Sequence, residues 1–140
     1  MIQQLICVLE KNMISIDEMQ IMLDDIADSF PQEFFEELNG GIVLLPEAKK
    51  HEQSKDNDLY ILGEYNRGGS MGRYISLYYG SFMRVYGHLS NDQIKDKLSN
   101  TVKHEFRHHI ESLAGERDLE IIDSLYIADY LTGKDRQYKA

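Results

Sequence analysis

Apolar residues recur three and four apart at Ile16, Met19, Met22, Leu23, Ile26 and Phe30. That spacing predicts a helix over "SIDEMQIMLDDIADSF", with its apolar side turned to a core. Ser15 and Glu18 stand three apart at its start and form a capping box, Ser bonding forward and Glu reaching back. Pro31 suits the first turn of a second short helix, "PQEFFEEL", and Asn39-Gly40-Gly41 stops it. The apolar run "GIVLLPE" (41–47) then predicts a buried strand ended by Pro46. The polar stretch "AKKHEQSKDNDL" predicts a loop. "LYILGEYN" (59–66) and "RYISLYYGSFMRVY" (73–86) are rich in β-branched and aromatic residues, so both predict strands. "RGGSMG" (67–72) between them is most simply a hairpin turn. Gly80 predicts a bulge or the end of the third strand.

Helical spacing returns after Ser90. Ile94, Leu98, Val102, Phe106, Ile110 and Leu113 fall on one broad side of a long helix, "SNDQIKDKLSNTVKHEFRHHIESLAG". Ser90 and Gln93 make a second capping box, and Asp92 places a negative charge at the positive helix end. Gly115 predicts the stop. A last helix is expected over roughly 118–131, followed by a polar tail. The order helix, helix, three strands, long helix, helix predicts a small α+β domain, with helices packed on one face of a short three-stranded sheet. Residues 13–132 are expected to form this single domain, with 133–140 as the tail. Met13 directly precedes the first helix start, which makes it an alternative to Met1 as the native start, with residues 1–12 then an N-terminal extension.

Composition narrows the function classes. The 140 residues carry 24 acidic and 15 basic side chains, a net charge of −9. Phosphate binding needs a basic face, so nucleic acid is not an expected partner. Nor is an anionic membrane surface, and no apolar run approaches the ~18 residues of a membrane span. "MIQQLICVLEKN" ends in charge and lacks a small-residue cleavage site, unlike a signal peptide. Cys7 is the single cysteine. It permits no intramolecular disulfide and no paired-cysteine zinc site, which fits a cytoplasmic location. A chain this long buries about two-thirds of its unfolded surface, so any metal is expected to serve function rather than folding.

The candidate chemistry is "HEFRHHIE", residues 104–111. At 100° per residue, His104, His108 and Glu111 cluster within roughly 60° beside the apolar face. Two imidazoles one turn apart can hold one zinc ion from a single helix. Glu105 lies one step round, where it can reach a water on the metal without being a ligand. These positions predict His104 and His108 as metal ligands and Glu105 as general base. An unbroken helix keeps Glu111 on the same face, which makes it the first choice for a third ligand. Glu116 and Asp118 are the rivals, if the chain reverses at Ala114-Gly115, and Glu120 and Asp123 are more distant options. His109 falls on the apolar side and reads as a hydrogen-bonded core histidine. The tyrosines of the third strand read as sheet packing, with a place in a substrate groove as the sharper alternative.

Residues from about 15 to 130 resemble the minimal zincins, small bacterial proteins described as zincin-like metallopeptidases. The likeness lies in "FFEELNGGIVLLPE", "LYILGEYN", "RYISLYYGSF" and then "TVKHEFRHHIE", and its most specific element is VxHExxHH after a short sheet. The resemblance implies a zinc site with His104 and His108 as ligands and Glu105 as base. Many relatives are similar to a longer pattern, HExxHxxGxxD. Here Glu111 stands at the Gly position and Ala114 at the Asp position, so the usual third ligand has no counterpart at that spacing. The expected activity is zinc-dependent hydrolysis of a peptide or protein substrate. The alternative from another class is a non-catalytic, metal-stabilised interaction module on the same scaffold.

Overall fold

The computed structural model describes residues 13–52 and 59–116. The extension 1–12, the predicted helix 118–131 and the tail 133–140 lie outside the described residues.

Helix α1 spans Ile16–Ser29 and begins with the capping box read from the sequence: Glu18 N–H donates to Ser15 Oγ and Ser15 N–H to Glu18 Oε1, both at 3.1 Å. Met19, Leu23 and Ile26 are buried. The second short helix is a single 3-10 turn, Gln32–Phe35, after Pro31. It stops before Asn39-Gly40-Gly41, because Glu37 takes the left-handed region at φ 60°. Phe34, which this turn buries, packs against Phe30 and Phe106 at 5.7 and 5.4 Å between ring centres.

Strand β1 is Gly41–Leu45, β2 Lys49–Lys50, β3 Tyr60–Ile61, β4 Gly63–Asn66 and β5 Tyr74–Tyr78. The main sheet is mixed, in the order β1-β5-β4, with β1 parallel to β5 and β4 antiparallel to it. The short β2 and β3 pair separately. The Gly-rich connector does join β4 to β5, with Gly68, Gly69 and Gly72 at positive φ. Leu77 and Ile75 of β5 are fully buried, whereas β1 is half-buried along its length.

The predicted strand 73–86 is corrected at Tyr78. Residues Tyr79–Tyr86 form a helix, α2. Aromatic content suggested a strand because strand preference reports packing context more than backbone taste. The helical spacing of Tyr79, Phe82, Met83 and Tyr86 packs these residues against the core instead. The chain turns there because Gly80 lies against backbone: a Cβ on it would stand 2.5 Å from Ala48 N, and its N–H donates to Glu47 O at 3.1 Å.

Helix α3 spans Asn91–Glu116 behind the Ser90/Gln93 box. It runs past the expected stop at Gly115, whose φ is not positive. A helical glycine near an end costs only about 1 kcal/mol. All six residues of the predicted apolar stripe are at most 7% exposed. The stripe seats α3 on α1 and on the sheet, and so fixes which way the remaining faces of the helix look. The architecture is therefore α+β, with a short mixed sheet.

Candidate functional site

Burial of the apolar stripe leaves His104 and His108 on an exposed face of α3 and turns Glu105 toward β4. The two imidazoles converge, Nε2 to Nε2, at 3.2 Å. They border an open cleft of about 640 Å³ together with Glu105, Gly63, Glu64 and Arg67. Strand β4 forms the opposite wall and is an edge of the sheet. Tyr78 N–H donates to Leu62 O, and the register pairs Glu64 with Ser76. Antiparallel strands alternate bonded and open pairs, so Gly63 and Tyr65 present their backbone groups away from β5, toward the cleft.

Gly63 lets this wall come close. A Cβ there would meet Leu77 Cδ2 at 2.8 Å, Thr101 Cγ2 at 3.0 Å and Ser76 O at 3.2 Å. Gly63→Ala is expected to push β4 off α3 and to cost about 1–3 kcal/mol, the usual range for overpacking. Urea unfolding measures it; an unchanged midpoint would show that β4 is not pressed against the helix.

Glu105 is 6% exposed. Burial, and after it the charge of Glu64, pushes its carboxyl up to about 7, although the Tyr65 backbone N–H bonds the charged form. That value is poised for proton transfer near neutrality. Glu64 itself stays ionised. Burial opposes its charge, but Lys49 Nζ at 2.5 Å and the Tyr78 hydroxyl at 2.6 Å outweigh it and hold its carboxyl below the ordinary range. Two carboxyls on one cleft are thus driven apart in proton affinity, Glu105 upward chiefly by burial and Glu64 downward by its partners.

His109 is fully buried, as its place on the apolar side predicts. A carbonyl only accepts, so His109 Nε2–H donates to Glu36 O at 2.7 Å and Nδ1 accepts from the Tyr65 hydroxyl at 2.8 Å. Burial lowers its proton affinity and favours this neutral form. Tyr65 is therefore held at its ring end by His109 while its N–H reaches Glu105. The buried residue next to His108 positions the wall that faces the two exposed imidazoles.

Two imidazole nitrogens at Zn–N distances of about 2.0–2.1 Å, separated by 3.2 Å, subtend about 100° at one ion, close to tetrahedral. His104 and His108 fit a zinc ion on that ground. Glu111 lines the same cleft, but its Oε2 lies 3.9 Å from His108 Nδ1, the other nitrogen of the ring. Among the described residues no group of three or more His, Cys, Asp or Glu side chains is gathered to hold a metal. Glu116 is the last residue of α3, and Asp118, Glu120 and Asp123 lie outside the described residues. Glu64 and Arg67 escaped the sequence reading, since neither sits in a motif. Only the hairpin placing 59–66 beside the long helix could have pointed to them.

Fold and site together define a small α+β domain in which a helix carries a histidine pair and a buried carboxylate against an edge strand. No protein-family model and no curated protein matches the chain. Among solved structures it is similar to a conserved hypothetical protein from Thermo thermophilus, at 31% identity and a TM-score of 0.66, over 74% of this chain and 100% of that one. Likeness at that level over the whole of the other chain shows that this chain belongs to the same family as that conserved hypothetical protein.

Among the described residues no helix is long and apolar enough to cross a membrane.

Proposed function

We propose that the protein is a zinc-dependent peptidase of the minimal zincin type, with His104 and His108 as metal ligands and Glu105 as general base. The observation that carries this reading is the convergence of the two Nε2 atoms at 3.2 Å on the cleft that Glu105 borders. A zinc ion held there would polarise a peptide carbonyl and bring the pKa of a water to around 7. Glu105, which borders the same cleft, would take a proton from the attacking water and pass it to the leaving amine. Gly63 offers backbone groups to a substrate that lies along β4 as an added strand, a common way of holding extended peptides.

The test is hydrolysis of a library of unstructured peptides by the full-length protein with zinc. Cleavage that stops on chelation and returns with zinc is the expected result. Absence of cleavage throughout the library overturns the reading. The second reading, a metal-stabilised interaction module, is favoured by the position of Glu111, whose Oε2 faces His108 Nδ1 rather than the Nε2 atoms that converge. It predicts a melting temperature that falls on chelation, with no turnover.

A further inference from the structure

A second cavity, of about 550 Å³, opens where the β4–β5 connector meets the turn before β1. Arg67, Arg73, Asn39 and Glu37 line it. Arg67 also lines the cleft of His104 and Glu105, so the two cavities share a wall. Its Nη1 donates to Ser112 Oγ at 2.9 Å, one turn beyond His108 on α3. That bond holds the guanidinium across the join between the cavities.

The second cavity is rigidly framed. Glu37 keeps a φ of 60°, a left-handed backbone that non-glycine residues seldom adopt. The turn is pinned by the bond from His109 Nε2 to Glu36 O, at 2.7 Å. Gly68 and Gly72 also line the cavity, and without side chains they leave it open. In a chain of net charge −9, a cavity lined among the described residues by two guanidiniums and one carboxylate is a distinct electrostatic place. Guanidinium is planar, always charged and matched to carboxylate in a two-pronged pair.

Position ties this cavity to the chemistry. The Tyr65 N–H meets the Glu105 carboxylate, and Arg67 is two residues further along the chain. At about 3.3 Å per residue the step is roughly 7 Å. A strand laid along β4 and attacked near Glu105 brings a group two or three residues from the scissile bond to the arginines.

We propose that Arg67 and Arg73 form a carboxylate-binding subsite, which selects peptides with an acidic group two or three residues from the bond cut, on the side toward residues 67–73. The carboxylate belongs either to an Asp or Glu side chain or to the peptide's own C-terminus. As a statement about substrates this rests on the peptidase reading; as a statement about binding it stands on the cavity.

The experiment uses full-length Glu105→Gln protein with zinc and fluorescent peptides of one sequence. The peptides carry Glu or Gln at each successive position, and a free or amidated C-terminus. Fluorescence anisotropy is expected to show at least tenfold tighter binding for a peptide with Glu at one defined position, or for the free C-terminus alone. Those two patterns distinguish the two sources. Adding Arg67→Met is expected to remove the preference, and Arg67→Lys to keep part of it, with melting temperatures reporting that each variant is folded. Equal binding of acid and amide peptides, no measurable binding of any peptide, or a preference that survives both Arg67→Met and Arg73→Met overturns the proposal. Hydrolysis by the unsubstituted protein is scored separately. Preference without cleavage sinks the peptidase reading and leaves the subsite; cleavage without preference does the reverse.

Discussion

Glu105→Gln is expected to cut the proposed peptide hydrolysis about a thousandfold and to make the metal-free protein more stable above neutrality. Both expected results follow from one buried carboxyl. In the proposed role as base, Glu105 would contribute a proton-transfer factor of about 10²–10⁴, and Gln has the shape without the basicity, so turnover should fall by roughly a thousandfold while zinc binding persists. The stability effect has a definite sign. Folding raises the carboxyl from its ordinary 4.5 to about 7. Its stabilising contribution is therefore full below pH 4.5 and is lost as pH rises through about 7. Above that, the folded protein carries a buried carboxylate that costs on the order of 3 kcal/mol. Gln removes that cost and still accepts the Tyr65 N–H. Denaturant unfolding of the metal-free proteins should therefore show the variant ahead at pH 8 and level at pH 4. Equal stability at pH 8 would mean that the cleft hydrates the carboxylate. The neutral His109 acts with the opposite sign. Its proton affinity is lowered from 6.5, so its contribution is present above pH 6.5 and lost as pH falls. The stability of Glu105→Gln should accordingly rise toward pH 6.5 and level off there.

Phe106→Ala is expected to cost about 3–5 kcal/mol, the range for truncating a buried aromatic. Phe106 is fully buried, and its ring lies 5.1 Å from Phe30, 5.4 Å from Phe34 and 5.1 Å from Phe35. It stands between Glu105 and His108, so the same residue that anchors α3 in the core sets the direction of the chemistry-bearing side chains. The melting temperature should drop by about 10 °C or more. Weaker zinc binding should accompany the loss, because the helix turn that carries both imidazoles is no longer seated. A drop of only a few degrees would place the anchor of the helix elsewhere.

The long helix was legible because its apolar stripe repeats over six positions behind a capping box, and a stripe of that length has few other ways to be buried. The same stripe located His104, Glu105 and His108 by exclusion, and put His109 inside. Tyr79–Tyr86 misled because two turns of aromatic residues satisfy a strand's preferences as well as a helix's. What decides is the backbone of Glu47 and Ala48 against Gly80, a contact between residues distant in the sequence. The parallel pairing of β1 with β5 is likewise long-range and leaves no local pattern. Glu64 was invisible as a site residue, since its partners Lys49 and Tyr78 come from separate strands. Arg67 looked like part of a turn, and only the fold brings it to Ser112 and to both cavities.

The most direct measurement is the zinc content of tag-free, full-length protein beside that of His104→Ala. One zinc per chain, lost in the variant, is the result predicted by the convergence of His104 and His108. No zinc on the unsubstituted protein, even after incubation with zinc at neutral pH, would contradict it and would leave 104–111 as a histidine-rich helix face.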